Sequence, residues 1–433
     1  MKKTLPILGG IIITSFYFFP FEFSFLPGIN TKMALAGIGL VLLGLNLGRS
    51  RESLFRKDIT IASLLAGAVS LIGFIATIYN NTTDYSYASY LISMWVWLSG
   101  AYVVILFLKW IHGCITPQLV CNYLIAVCTI QCIIAISMEF NDSLKFFVDG
   151  FLGGEGFMGK NEGRLYGIGA ALDVAGSRFA TMLIAIAFFC SRPDLYIQSN
   201  RQILLYLIAF FIILLIGNMM ARTTIIGGVI AIAYYICNAI FRRKRGLHNY
   251  KIGWWLIGCS FLTIIVVSYL YLTNPVIEKH VRFAFEGFFS LAETGQWEVQ
   301  SNNQLLHHWD AIPQEFRTWM IGDGYFQAHK TDPYYLGPVR GDFYHSTDVG
   351  YWRFIYYFGL IGLLAFSAFL CYVTYACSKN HPTFKLLCWL ILITNFIIWA
   401  KVSTDLFLVF ALLLVIPKEP NDTIVPQQIP VSD

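Results

Sequence analysis

The chain has 433 residues, of which 57% are hydrophobic and 13% charged, with a mean hydropathy of +0.63 and a formal net charge of +5. A soluble domain carries roughly 25% charged residues, so too little polar surface remains here to cover a water-facing core, and lipid is the natural solvent. No basic run with interleaved aromatics points to nucleic acid.

The first apolar run follows Lys2 and Lys3, lacks a small-residue cleavage site, and reads as an uncleaved span over 5–27, interrupted by Pro20 and carrying Glu22. A span needs about 20 apolar residues. Further candidates lie at 33–48, 59–79, 87–108, 118–138, 170–190, 203–220, 223–241, 252–272, 351–376, 386–400 and 406–417. The expected fold is therefore an all-α polytopic membrane protein of about 12 transmembrane helices. The last two spans are short, and the tight turn at 220–223 fits either two spans or a single bent one. Ten cysteines fall in these segments or at their ends, with no CxxC and no zinc-ligand spacing. They read as small reduced apolar residues.

Direction follows from the basic residues of the short connections. An inner N-terminus places Lys2, Lys3, Arg49, Arg51, Arg56, Lys57, Lys109, Arg192, Arg201 and the run FRRKRGLHNYK inside, and leaves NNTTDYS at 80–86 outside without a basic residue. Both termini are then cytoplasmic. The organisation becomes a bundle of nine spans over 1–272, with a glycine-rich outer loop at 139–169. A large outer segment follows at 273–350, then three spans over 351–417 and a polar, disordered tail at 418–433. In 273–350, Ile277, Val281, Phe285 and Phe288 recur at helical spacing and predict an amphipathic helix. A second short helix is expected around Leu305, Leu306, Trp309 and Ile312.

Several arginines break the usual charge bias. Arg178 lies in the middle of AALDVAGSRFATMLIAIAFF, where a charge costs at least about 2.5–3.5 kcal/mol on insertion scales. Asp173 could pair with it internally, and Arg222 or Arg353 could snorkel to the interface. Taken together, Arg164, Arg178, Arg222, Arg317 and Arg353 come from different segments, yet the topology places all of them near one leaflet. Guanidinium forks suit phosphate oxygens, and a lipid diphosphate is an anion held at that depth. A metal is not expected: no DxD or ExD pair stands in an outer loop, and the neighbouring histidines of HHWD (His307, His308, with Asp310) diverge on a helix. His345 and Asp348 precede the span at 351–376, and either could accept a proton from a sugar hydroxyl. Asp348 could equally cap that helix.

Three stretches, NMMARTTIIGG, FRTWMIGDGYF and HSTDVGYWRFIYYFGLIG, together with the large segment before the third-last span, carry a resemblance to the O-antigen polymerase and ligase superfamily. The resemblance implies a GT-C-like membrane glycosyltransferase in a bacterial inner membrane, without cofactor, acting at the periplasmic face. Its donor would be a polyprenyl (undecaprenyl) diphosphate-linked oligosaccharide and its acceptor another lipid-linked repeat unit, with a chain-length regulator as a further candidate partner. Arg222, Arg178, Arg317, Arg164 and Arg353 would hold the diphosphate, and His345 or Asp348 would act on the acceptor hydroxyl. Aromatics including Trp309, Trp319, Tyr325, Tyr334, Tyr335 and Tyr344 could stack on sugars. In the ligases a histidine precedes the first glycine by a shorter interval than that from His345 to Gly359, and the DVG form resembles polymerases more. A ligase acting on lipid A core, or a polysaccharide flippase, remains the alternative.

Overall fold

The computed structural model describes residues 4–46, 56–152, 164–197, 199–244, 250–327 and 343–418. Lys2, Lys3, Arg49, Arg51, Lys160, Lys330, Tyr334, Tyr335, Arg340, the centre of the basic run (245–249) and the tail beyond Lys418 lie outside the described residues. The described chain is helical throughout, as backbone N–H and C=O groups in lipid require. In chain order the helices are α1 (Thr4–Phe18), α2 (Thr31–Asn46), α3 (Lys57–Tyr79), α4 (Tyr90–His112), α5 (Pro117–Phe140), α6 (Asp142–Phe151), α7 (Leu172–Ser191), α8 (Pro193–Tyr196) and α9 (Asn200–Met220). There follow α10 (Thr224–Lys244), α11 (Tyr250–Thr273), α12 (Pro275–Ala284), α13 (Glu286–Thr294), α14 (Gln300–Trp309), α15 (Phe316–Met320), α16 (Gly350–Asn380), α17 (Lys385–Trp399) and α18 (Phe407–Val415).

Among the described residues, nine helices are long and apolar enough to cross a membrane: α3, α4, α5, α7, α9, α10, α11, α16 and α17, the last with the turn before it. The protein is thus a polytopic α-helical membrane protein. Three of the twelve expected spans appear as shorter helices. The first, expected over 5–27, is helical only to Phe18. Pro20 has no N–H to donate and disfavours helix in Phe19, so the chain turns irregularly until Thr31. The turn at 220–223 reverses direction: Thr224 Oγ1 donates to the Gly217 carbonyl at 3.0 Å, and Gly228 lies against Leu214. α9 and α10 are therefore two antiparallel helices and not one bent one.

α7 is the centre of the bundle, with every residue from Ala175 to Ser191 buried. Small residues bring its neighbours close. A Cβ on Gly227 of α10 would stand 2.2 Å from Ala180 Cα, and one on Gly176 would meet Ala221 and Thr223. At the opposite extreme, α11 is peripheral, with Trp254, Ile257, Phe261 and Leu262 exposed for lipid contact. The described residues of 273–350 include α12 to α15. Ile277 and Val281 are buried as their spacing predicts, but the helix breaks at Phe285 and leaves Phe288 58% exposed.

Two connections shape the end of the bundle that carries the site. The first is a joint between the α15 turn and α16. α16 is interrupted at Phe358 and at Gly359, which has φ 69° and ψ −173°. The interruption frees the carbonyls of Tyr356 and Tyr357, which accept from the N–H groups of Asp323 at 2.6 Å and Gly324 at 3.1 Å. Gly322 (φ +84°) backs onto Tyr357 and Phe358, while Gly359 backs onto Met320 and Ile321. The second connection is the strap AKVSTD between α17 and α18. Lys401 reaches Asp173 on α7 at 3.0 Å, Ser403 accepts from Arg353 on α16 at 2.7 Å, and Asp405 accepts from Tyr90 on α4 at 2.8 Å. Asp405 also accepts from the Phe407 N–H at the start of α18.

Candidate functional site

The α9–α10 turn (Ala221, Arg222, Thr223) determines where the first candidate arginine points. Thr223 donates to Asp173 on α7, which anchors the turn and directs Arg222 away from the core. The Arg222 guanidinium lies 4.2 Å from the centre of the Phe283 ring, donates through Nε to the Phe283 carbonyl at 3.1 Å, and pairs with Glu286. Arg164 stands 5.2 Å from the same ring. Two arginines far apart in sequence are thus brought together by one phenylalanine at the α12–α13 corner.

Beside them is a cleft of about 440 Å³. Arg222, Thr223 and Asn218 line one wall, Phe285 to Phe288 with Trp297 a second, Leu305 and Trp309 a third, and Ile397, Ala400 and Lys401 a fourth. The Asn218 amide donates to the Ala284 carbonyl at 2.9 Å, while its buried oxygen has no hydrogen-bond partner. Lys401 supplies a second cation and Ile225, Ile226 and Ile397 an apolar wall. The cleft is therefore amphipathic, lined by two cations and Glu286 together with aliphatic and aromatic side chains.

The other three arginines stand elsewhere, each for a local reason. Arg178 is 6% exposed and does not pair with Asp173, which holds Lys401 and Thr223 instead. Its guanidinium donates to the Phe18 carbonyl and lies against the rings of Phe18, Phe19 and Trp97. The early end of α1 thus presents a helix C-terminus, with its orphan carbonyls and negative dipole end, to the buried cation. Arg178→Met should lower stability by about 1–3 kcal/mol, the cost of leaving a buried carbonyl unpaired, and leave diphosphate affinity unchanged. Thermal unfolding and pyrophosphate titration of the variant check this; lost affinity with an unchanged midpoint would put Arg178 back among the anion-binding groups.

Arg317 is paired with Asp323 (3.3 Å) and Glu315 (3.5 Å) and donates to Asn80 (2.8 Å), so it ties the α15 turn to the end of α3. Arg353 is 5% exposed and lies between the rings of Phe326 and Phe343, at 3.9 and 3.7 Å, while it donates to Ser403 and the Phe326 carbonyl.

The structure separates the two candidate bases. His345 sits in a short 3-10 turn with a left-handed φ of 51°. Its ring stacks on Tyr356 at 4.4 Å and faces Asp323, and partial desolvation lowers its pKa below the ordinary histidine value. Asp348 is coupled in charge to Lys401, which lines the cleft. Its neighbours in charge are His308, Arg353, Asp173 and Lys401, and desolvation raises its pKa above the ordinary aspartate value. It does not cap α16, whose N-cap residue is Val349 with no side-chain cap. Its carboxylate instead lies 3.9 Å from His308 Nδ1.

Sequence reasoning gave no role to Lys401, Phe283 or Glu286. A lysine just after an apolar span was the available signal for the first; Phe283 and Glu286 lie off the buried face of their helices and gave none. Trp309 lines the cleft and Trp319 joins it through Trp352, with ring centres 5.3 and 5.7 Å apart, while Tyr325 and Tyr344 stack on each other at 5.3 Å. Compared with protein-family models, with curated proteins and with solved structures, the chain finds no match.

Proposed function

We propose that this protein is a membrane glycosyltransferase that polymerises polyprenyl diphosphate-linked oligosaccharide repeat units at the periplasmic face of a bacterial inner membrane. The supporting observation is the amphipathic cleft, where Arg222, with Arg164 across the Phe283 ring, and Lys401 stand over an aliphatic wall. A polyprenyl diphosphate has the matching chemistry, a multiply charged anion on a hydrocarbon chain. Arg222 pairs with Glu286 and Lys401 with Asp173, and a diphosphate carries more charge and more acceptor oxygens than a carboxylate.

In the reaction the acceptor hydroxyl attacks the anomeric carbon and the polyprenyl diphosphate leaves with the bonding electron pair. Arginine and lysine stabilise the charge that develops on the leaving oxygens. Asp348, coupled to Lys401 and Asp173 at the cleft, is the favoured base over His345, which faces Asp323. The α12–α15 segment covers the cleft and limits competition from water.

The test is incubation of the purified full chain, in lipid nanodiscs, with a defined lipid-linked repeat unit. A ladder of polymer supports the reading; transfer only onto a lipid A core acceptor would assign ligase chemistry, and no product with either would overturn it. The raised pKa of Asp348 adds a sign. The base works deprotonated, so turnover should fall as pH drops through a midpoint above the ordinary carboxylate range. Asp348→Asn should abolish that limb along with most of the turnover, by about 10²-fold or more. A pH profile of kcat for both proteins checks it.

A further inference from the structure

Arg222 and Asn218 line the cleft, and both are held by the end of α12. Nε of Arg222 donates to the Phe283 carbonyl at 3.1 Å, and the Asn218 amide donates to the Ala284 carbonyl at 2.9 Å. Carbonyls of a last helical turn lack intrahelical partners and carry the negative end of the helix dipole. Where α12 stops along its own axis therefore decides where the guanidinium stands.

α12 rests on the bundle by one face, formed by Ile277, His280, Val281 and Ala284. Three of these are apolar, and apolar contact is non-directional, so it holds the helix down without setting its register. His280 supplies the direction. Its side chain is 1% exposed, and Nε2 lies 2.9 Å from Oε1 of Glu139 on α5. Nδ1 is buried with no hydrogen-bond partner, so among the described residues the carboxylate is the ring's one hydrogen-bonded anchor. Glu139 stands in the last turn of α5, where the helix dipole disfavours a negative charge. Its other oxygen lies 4.0 Å from Nζ of Lys145 on α6. The carboxylate is stabilised by these partners and not by its own helix.

We propose that Glu139 is a positioning residue for the anion site: through His280 it sets the register of α12, and through the carbonyls that end α12 it holds the Arg222 guanidinium beside the cleft. This inference rests on the reading of the cleft as the diphosphate site. Glu139 does not touch the ligand. Its removal leaves α12 seated by its apolar face but free to slide by a fraction of a turn. Nε of Arg222 then loses its carbonyl, and the guanidinium loses its fixed direction.

Glu139→Ala should weaken the binding of inorganic pyrophosphate to the full chain in nanodiscs about tenfold, the scale of one charge-assisted hydrogen bond to the anion. His280→Leu removes the same tether while keeping an apolar side chain on the buried face, and should weaken binding equally. Glu139→Gln keeps an oxygen for the His280 Nε2–H and should bind within about threefold of wild type. Glu139→Ala made on Arg222→Lys should cost no more than about twofold beyond Arg222→Lys alone, because the group being positioned has gone. A readout independent of any ligand is arginine-selective NMR. The Nε–H signal assigned to Arg222 by its loss in Arg222→Lys should move in Glu139→Ala and return in Glu139→Gln. Wild-type pyrophosphate affinity in either Glu139→Ala or His280→Leu, additive losses in the double variant, or an unmoved Arg222 signal would overturn the positioning role. Wild-type protein that makes no polymer, yet shows the binding losses and the moved signal, would sink the transferase reading and keep the role of Glu139.

Discussion

If the protein is the polymerase proposed above, replacing Arg222 with lysine should lower polymer synthesis by about 10²-fold, while folded protein should accumulate at the wild-type level. The charge survives this change, but the geometry does not. Arg222 stacks on Phe283, donates through Nε to the Phe283 carbonyl, and pairs through Nη2 with Glu286, all of it beside the cleft. A lysine has one compact ammonium and cannot meet a backbone carbonyl and an anion with separate, fixed donors. Loss of one preorganised donor to a developing oxyanion typically costs 10²–10³ in turnover. The side chain lies on a turn at the end of the bundle and not in the core, so the fold should hold. Turnover and thermal unfolding of the purified variant decide the matter; full activity would remove Arg222 from the site.

Gly359→Ala should be the most damaging single change to the fold. Its backbone angles lie in a region nearly reserved for glycine, where a side chain costs about 1–3 kcal/mol. A Cβ there would also stand 2.2 Å from the Met320 carbonyl oxygen and 2.5 Å from the Ile321 nitrogen. These are backbone atoms and cannot rotate aside, so overpacking adds about 1–3 kcal/mol. The α15 turn would be pushed off α16, exposing the Tyr356 and Tyr357 carbonyls that it satisfies. Gly37→Ala, on an open face of α2 with nothing within 4 Å, is the matched control and should be neutral or slightly stabilising. A melting point for Gly359→Ala equal to that of the control would show that the joint yields at no cost. Gly322→Ala attacks the same joint from the other side, so the two glycine changes should be less than additive when combined.

The apolar runs made the helices legible, because burying backbone polar groups in lipid leaves the chain little other choice. Where a helix stops short was harder to read: Pro20 was visible as a break, but its effect, an α1 that ends at Phe18 and faces Arg178, depends on a residue 160 positions away. The same limit governed the arginines. Sequence showed that cations had gathered where cations are costly, which is a statement about one residue and its solvent. Whether a guanidinium meets a carbonyl, as Arg178 does, a carboxylate of its own loop, as Arg317 does, or a carbonyl and a carboxylate beside a cleft, as Arg222 does, is a statement about partners. The choice between His345 and Asp348 failed for the same reason. Their spacing from Gly359 says nothing about His308, which approaches from another helix. The three stretches that carried the family resemblance fared unevenly: two of them meet at the Gly322–Gly359 joint, one of these also carrying Asp348, and the third supplies Arg222.

The AKVSTD segment is fastened at Ser403 to α16 and at Asp405 to α4, both later in the chain than Lys401. An anion that draws the lysine ammonium off Asp173 would release only the first of these three tethers. The ammonium could then swing on its four-carbon stem while the backbone after it stayed pinned. Asp173, relieved of its cation, would keep Thr223 and with it the turn that aims Arg222. Ligand entry and exit would thus involve the exchange of one ion pair and no rearrangement of helices, as the proposed polymerase would need in order to release its lipid carrier after every round of chain growth.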